Sequence, residues 1–451
     1  MKKTLIIFLI VLGTVAGLFN IYLKPMLPVL TGYAAKNLCS CVFVSGIDEE
    51  QAKAEDLGFS PITLATASID YIDKSATANA WGLSERKAIY REGLGCVLIN
   101  EIPESTLAMQ SFTPERVIDD SLANWFSLVD TVSVISQRQK NSLNEVIDKA
   151  FKEDDPEKLK NTRAVVVLYK GQLVGEQYAD GITQDTRLLG WSMTKSLTAT
   201  MVGVLHQEDR LDFNEPTSIS EWQGSNRESI TVKNLVNMSS GLSFWENYEQ
   251  RSDANIMLWE HDSMGHYALS QPLEGEAGSP WYYSSGTTNI LATLAQRSIG
   301  KQGEYLDFLN QKVFNKIGAY SVLIEPDGSG AFVGSSFGWA TARDWARIGQ
   351  LYLNNGVWDG EQILDLKWIK FVRTPVEGSD GWYGGHFWLN AGGRYPNLPR
   401  DIYSMDGFQA QRVFIIPSED LVVVRLGLTY NEPDFDFNQF VSEIIRAIKE
   451  D

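Results

Sequence analysis

The chain opens on an uninterrupted apolar run and then changes period several times along its length. Residues 4-23, TLIIFLIVLGTVAGLFNIYL, carry no charge and follow Lys2 and Lys3. About 20 apolar residues suffice to span a bilayer, and the two lysines would stay in the cytoplasm while the rest is exported. Three readings fit this run. It is an uncleaved membrane anchor, which its continuation past Ala16 favours; a signal peptide with Thr14-Val15-Ala16 as cleavage site; or a buried N-terminal helix. From 25 to 130 the pattern is irregular. GYAAKNLCSCVFVSG and RKAIYREGLGCVLIN each hold a short apolar run that predicts a strand, and the charged stretches around them predict loops. The pattern sharpens near 131. SQRQKNSLNEVIDKAFKE puts Leu143, Val146, Ile147 and Ala150 on one helical face. RAVVVLYKGQLVGEQYA is two apolar runs about Lys170-Gly171, a hairpin signal. RVFIIPSEDLVVVRLGLTY repeats the form about Pro417-Ser418-Glu419-Asp420. The last segment, FNQFVSEIIRAIKE, spaces Phe437, Phe440, Val441, Ile444, Ile445 and Ile448 as an amphipathic helix.

Strands therefore sit at both ends of region 131-451, with helices between them. ITVKNLVNMSSGL, with Thr231 as N-cap, and TARDWARIGQLYLNNG are two of these helices. The order predicts an α/β (α+β) architecture: an antiparallel sheet made from both chain ends and flanked by helices, with a helical lobe inserted. A ligand site belongs in the cleft between the lobes. The chain divides into 1-24, the anchor or signal; 25-130, an extra cap on the cleft or a partner surface; and 131-451. The net charge of -18 argues against nucleic acid as a partner, which leaves a small-molecule or peptide-like substrate and a membrane met through residues 4-23. Cys39, Cys41 and Cys96 allow one disulfide, Cys96 with Cys39 or Cys41, or three buried thiols.

One charge interrupts the apolar helix of GWSMTKSLTATMVGVL: Lys195, three residues after Ser192. A serine hydroxyl is a weak nucleophile until a base takes its proton. A three-residue spacing puts both side chains on one helical face. A lysine held in an apolar cleft loses charge, because burial disfavours the ammonium. The helix N-terminus adds free N–H groups that suit an oxyanion. Other matches are weaker. Ser84 to Lys87 repeats the spacing among surface charges. Gly334-Ser335-Ser336-Phe337-Gly338, with His386 downstream, matches a nucleophile elbow, yet the next helix starts about five residues later, at Thr341. His261 and His266 lack a third metal ligand.

Ser192-Met193-Thr194-Lys195 and its helix resemble the serine β-lactamase and penicillin-binding-protein superfamily. ITVKNLVNMSSGLSF is similar to the segment ending in Ser-Gly-Leu in class C-like members. EAGSPWYYSSGTTNIL is similar to their Tyr-x-Asn/Ser segment, with Tyr283-Ser284-Ser285 at the motif. MDGFQAQRVFIIPSEDLVVVRLG is similar to the closing Lys/His-x-Gly strand and its successor. The resemblance covers roughly 130-450 and is nearest in kind to esterases, D-aminopeptidases and aminohexanoate-oligomer hydrolases. It implies a β-lactamase/transpeptidase-like fold and a serine hydrolase of amides or esters, with no cofactor and no metal. Ser192 would be the nucleophile and Lys195 its base. Tyr283, or Tyr282 if the motif slips by one, would be a second base or the acid for the leaving group. The base role requires its phenol pKa to fall beside the lysine. Ser285 would hydrogen-bond Lys195 or substrate. In Met405-Asp406-Gly407 the glycine is kept and the cation lost, and the Phe408 N–H would complete an oxyanion hole with that of Ser192. A slip of three would make Gln411 the donor. Without the cation, β-lactam and D-Ala-D-Ala substrates are disfavoured. Its loss also motivates a rival reading, a catalytically degenerate sensor or binding module for cell-wall fragments or small ligands. The implied place is the inner (cytoplasmic) membrane with the catalytic domain outside the cytoplasm (periplasmic), or secretion if the N-terminus is cleaved.

Overall fold

The computed structural model of the chain describes residues 2–116, 118–119, 122, 125 and 134–450. The boundary expected at 130/131 lies outside the described residues. The N-terminal run forms a helix, α1 (Lys2–Leu18), that continues through short turns into α2 (Leu27–Ser40). Along α1 the apolar side chains of Leu5, Ile7, Phe8, Leu9, Ile10 and Leu12 stand exposed. The helical stretch from Ile7 to Ser45 is long and apolar enough to cross a membrane by length and composition, a test that a signal sequence also passes. Past Leu27 burial becomes almost complete.

Residues 32–45 are therefore helical, against the strand expected in GYAAKNLCSCVFVSG. The reason is burial on every side, which removes the amphipathic period that reveals a helix. Gly32 also lets Leu98 and Trp259 close on the helix axis, where a Cβ would sit 3.1 and 3.3 Å from their side chains. The second expected strand is present. β1 (Thr66–Asp70), β2 (Ser75–Ala80), β3 (Leu83–Arg91) and β4 (Gly95–Leu98) form an antiparallel sheet in sequential order, and α2 packs on all four strands. Cys39 of α2 and Cys96 of β4 form a disulfide, and Cys41 is a buried free thiol.

The rest of the chain follows its predicted elements closely. α3 (Gln137–Phe151) starts at a capping box of Ser136 and Gln139. β5 (Thr162–Tyr169) and β6 (Gln172–Tyr178) turn about Lys170 and Gly171, both with positive φ. α4 (Thr194–Gln207) and α5 (Ser285–Ile299) lie in the middle of the chain, and α6 (Ala342–Leu353) is capped by the Thr341 side chain. Last come β7 (Trp388–Leu389), β8 (Tyr403–Gly407), β9 (Gln411–Ile416), β10 (Leu421–Gly427) and α7 (Phe437–Lys449). The main sheet is antiparallel, ordered β7-β8-β9-β10-β5-β6, so both chain ends build it. Val165, Val167, Phe414 and Val423 face α3 and α7, while Ala164, Val166, Leu168, Val422 and Val424 face the inner core. Covering on both faces explains why β5 reads as a continuous apolar run.

Buried polar bonds join the N-terminal segment to this body. Lys36 of α2 pairs with Glu325, which also accepts from Ser40 Oγ (2.8 Å), the Cys96 N–H (2.7 Å) and Trp339 Nε1 (2.8 Å). The two carboxylate oxygens are thus shared among four donors, which makes the burial of this ion pair tolerable. Arg163 on β5 grips the Asp56 carboxylate with both terminal nitrogens, at 2.9 and 2.6 Å.

Candidate active site

The nucleophile candidate sits on a strained turn. Trp191 has a φ of 48°, in the left-handed region that a bulky residue enters at a cost. A 3₁₀ turn, Trp191–Met193, then leads into α4. The turn is held from two sides. Tyr33 of α2 stacks on Trp191 at 5.8 Å, and the Phe408 ring meets it edge-on at 5.7 Å. Gly407 is needed here because a Cβ would fall 2.1 Å from the Gly190 carbonyl oxygen. That close approach brings Phe408 to the cavity that Ser192 borders.

Lys195 is 1 % exposed. Its Nζ lies 3.0 Å from Ser192 Oγ, 2.9 Å from Ser285 Oγ and 2.9 Å from the Ser335 carbonyl oxygen. The same nitrogen is 4.9 Å from the centre of the Tyr283 ring. Burial lowers its pKa from 10.5 to about 8, and the Glu246 carboxylate opposes the fall. The donors and acceptors then sort themselves. A neutral amine has two N–H bonds and one lone pair. The Ser335 carbonyl can only accept. The Ser285 hydroxyl donates to Glu246 Oε1 at 2.5 Å, so towards Lys195 it accepts. Both N–H bonds are thereby used, and the lone pair is left facing the hydroxyl of Ser192.

Tyr283 packs against Tyr383 and Trp388, with ring centres 5.8 and 5.4 Å away. The expected fall of its phenol pKa does not occur. Burial and the Glu246 carboxylate push it above the usual 10, outweighing a hydrogen bond with Ser192. Loss of water around the phenol and the nearby carboxylate both disfavour a phenolate, so this hydroxyl keeps its proton. Tyr282 is exposed, so of the two adjacent tyrosines it is Tyr283 that lies beside Lys195.

Glu246 and Tyr248 escaped the sequence reading. The Ser285 N–H donates to Glu246 Oε2 at 2.7 Å, and Tyr248 Oη donates to Glu246 Oε1 at 2.6 Å while lying 3.0 Å from Ser285 Oγ. They belong to a loop, WENYEQ, whose composition has no period, and only its position just after Ser-Gly-Leu hints at the site. Gln411 has its side-chain amide engaged with the Phe408 carbonyl (3.1 Å) and with Gly427, whose N–H it accepts at 3.0 Å. Met405 is fully buried. The neighbouring Asp406 carboxylate pairs with Arg394 (2.8 Å) and Arg412 (3.2 Å), so those cations are spent there.

The other matches resolve as turns and core. Both nitrogens of the buried His386 are partnered, by Thr288 (3.0 Å) and the Val236 carbonyl (2.8 Å), and Ser336 bonds Ser335 (2.9 Å). Lys87 pairs with Glu104 on the surface. No group of three metal-ligating side chains occurs among the described residues. A roomier cleft of about 380 Å³, lined by Phe43, Arg116 and Phe314, lies apart from Ser192.

The family model described as Beta-lactamase matches residues 150–438. The chain belongs to the β-lactamase family. A 6-aminohexanoate-dimer hydrolase of Paenarthrobacter ureafaciens is 26% identical over 300 residues, 60% of this chain and 74% of that one. Among solved structures, a penicillin-binding protein homologue from Caulobacter crescentus superposes with a TM-score of 0.54 at 16% identity, over 70% of this chain and 97% of its own. EstCE1, a hydrolase with promiscuous acyltransferase activity, gives 0.56 at 15% identity over 69% and 99%. At such identities these structures show the fold alone. This β-lactamase-family chain is a serine hydrolase of the β-lactamase-related kind, and its mixed α/β fold with antiparallel sheets is that of its neighbours.

Proposed function

We propose that the protein hydrolyses an ester or an uncharged amide through an acyl-enzyme on Ser192. The observation that supports this most is the Lys195 nitrogen held 3.0 Å from Ser192 Oγ, with two other partners that can take both N–H bonds of the neutral amine and so leave its lone pair for Ser192. Neutral Lys195 takes the hydroxyl proton as Ser192 Oγ bonds to the substrate carbonyl carbon. The carbonyl electron pair moves to oxygen, where the N–H groups of Ser192 and Phe408 receive it. The adduct collapses, the leaving group departs with the proton of Tyr283, and the Lys195 ammonium restores that proton. Water then attacks the acyl carbon, its proton passes to Lys195, and Ser192 leaves with a proton from the same amine. Ser285 holds Lys195 in place and ties it to Glu246. The buried methionine at 405 leaves no cation for a substrate carboxylate at that position, which favours substrates without one.

The reading extends to location. Residues 4-23 anchor the chain and 131-451 form the hydrolase outside the cytoplasm, with 25-130 folded onto it. Support comes from the exposed apolar side chains of α1 and from the Cys39–Cys96 disulfide, a bond that persists in oxidising compartments. A fluorophosphonate probe tests the chemistry: wild type takes the label and Ser192→Ala does not. Label on both variants would move the nucleophile elsewhere, and label on neither would leave a binding module. Protease treatment of intact cells and of vesicles tests the orientation; cleavage of the hydrolase only after the cytoplasmic face is opened would overturn it.

A further inference from the structure

A second cavity property of the site comes from the N-terminal segment, which lies outside the matched family region. A cavity of about 110 Å³ opens directly onto Ser192. One wall is the turn of Trp191 together with Phe408, and a second, which brings polar groups at Tyr248, Glu249, Asn255 and Ser336 beside Leu258 and Trp259, also belongs to the hydrolase body. The third is contributed by α2 and the segments on either side of it, through Met26, Val29, Leu30, Phe59 and Ile62. These side chains are hydrocarbon or aromatic, and Val29, Leu30 and Ile62 are at most 5 % exposed. Phe59 is fixed by stacking on Tyr430 at 4.5 Å, and it leans on the Phe408 ring at 6.3 Å. The segment thus reaches both the nucleophile turn and the residue after Gly407.

We infer that this cavity is an acyl-chain subsite: it receives the hydrocarbon chain on the carbonyl side of the scissile bond, so the substrate is an ester or amide of an aliphatic carboxylic acid. The inference rests on the acyl-enzyme reading of Ser192 given above. Two arguments carry it. A preformed, mostly apolar recess gains most of its free energy from apolar groups, whereas peptide-like groups set against its hydrocarbon walls would lose hydrogen bonds to water. The recess also lies on one side of the reacting atoms. Ser192 and Phe408 border it, while Tyr283, which gives the leaving group its proton, lies outside. The chain that stays on Ser192 is therefore the one that fits.

The position of the subsite suits such substrates. Met26 is three residues past the end of the apolar run at Leu23, about 6 Å along the 3₁₀ turn Lys24–Met26. Trp81, 58 % exposed at the tip of the β2–β3 hairpin, contacts Phe19 with ring centres 6.5 Å apart. An exposed tryptophan beside an apolar helix is the arrangement found where protein meets the headgroup layer. An amphiphile resting in that layer would have its acyl chain close to the mouth of the cavity.

The test uses the full-length chain in detergent and p-nitrophenyl esters of acetate, butyrate, hexanoate and octanoate. In wild type kcat/KM rises by about fourfold for each methylene that enters the cavity, the increment expected from hydrocarbon burial, and levels off once it is full. Leu30→Trp fills the cavity from the middle of α2. Met26→Trp fills it from a half-buried position where misfolding is less of a risk, and thermal unfolding reports whether each variant is folded. For a folded variant the octanoate-to-acetate ratio of kcat/KM falls at least tenfold, a quantity that a general loss of active enzyme leaves untouched. A flat wild-type series, or a series unchanged in both folded variants, overturns the subsite. Fluorophosphonate labelling separates the two levels: labelled enzyme with a flat series sinks the subsite alone, and unlabelled wild type sinks the acyl-enzyme reading with it.

Discussion

The protonation of Lys195 makes the sharpest demand on the structure. An exposed lysine with its usual pKa of 10.5 would be neutral in about one molecule in three thousand at pH 7. At about 8 the neutral share is about one in ten, roughly a 300-fold larger population of working base. The rate of acylation by a fluorophosphonate or an activated ester should therefore rise about tenfold per pH unit below 8 and flatten above it. The same shift bears on stability. Lowering the folded-state pKa means that below about 8 the folded protein carries a buried ammonium at a cost. Between about 8 and 10.5 the folded amine is neutral while the unfolded one still binds a proton. Stability therefore rises with pH across this window, by about 3 kcal/mol in total, and the gain is complete above 10.5. Comparing denaturant unfolding of wild type and Lys195→Met at pH 7.5 and 10 isolates this contribution, since other groups titrate alike in both. Wild type should gain on the variant by about 1 to 3 kcal/mol. Glu246→Gln adds a second check. Its carboxylate holds the lysine pKa up, so the inflection of the pH–rate profile should move to lower pH. An inflection at 10 or above in wild type, or a rate independent of pH between 6 and 9, would refute the base assignment.

Lys195→Ala should lower the acylation rate at least ~100-fold with the fold retained, as loss of general-base help does; more than a tenth of wild-type labelling would count against it. Tyr283→Phe should lower kcat for an alkyl amide far more than for a p-nitrophenyl ester, whose leaving group needs no proton, and equal losses would assign the phenol another role. Turnover of a chromogenic cephalosporin should be weak or absent, and rapid hydrolysis would show that Met405 does not restrict the substrate. Glu325→Gln should destabilise the protein by about 3 to 5 kcal/mol in denaturant unfolding, because it leaves Lys36 charged and buried without its partner; a change below 1 kcal/mol would mean the pair contributes little to joining α2 to the hydrolase.

Some features were fixed by the order of residues alone. The hairpin at Lys170-Gly171, the strand pair about Pro417–Asp420 and the helices capped by Ser136, Thr231 and Thr341 are local. Each depends on turn geometry or on a side chain meeting an N–H three residues away, so neighbouring positions carry the whole signal. The pairing of Ser192 with Lys195 is equally local, since both belong to the same first turns of one helix. Other features depend on contacts between distant parts of the chain. α2 looked like a strand because its burial on all sides comes from β1–β4 and Trp259, which nothing in its own fourteen residues announces. Glu246 and Tyr248 lie on an aperiodic loop and become part of the site only by meeting Ser285, about forty positions away. The phenol of Tyr283 stays protonated because a distant carboxylate and two aromatic rings surround it, although its neighbour in space is a lysine. A sequence records which groups are present and how the chain turns locally. Which of them lose water, and which charges they then face, is decided only when the chain has closed on itself.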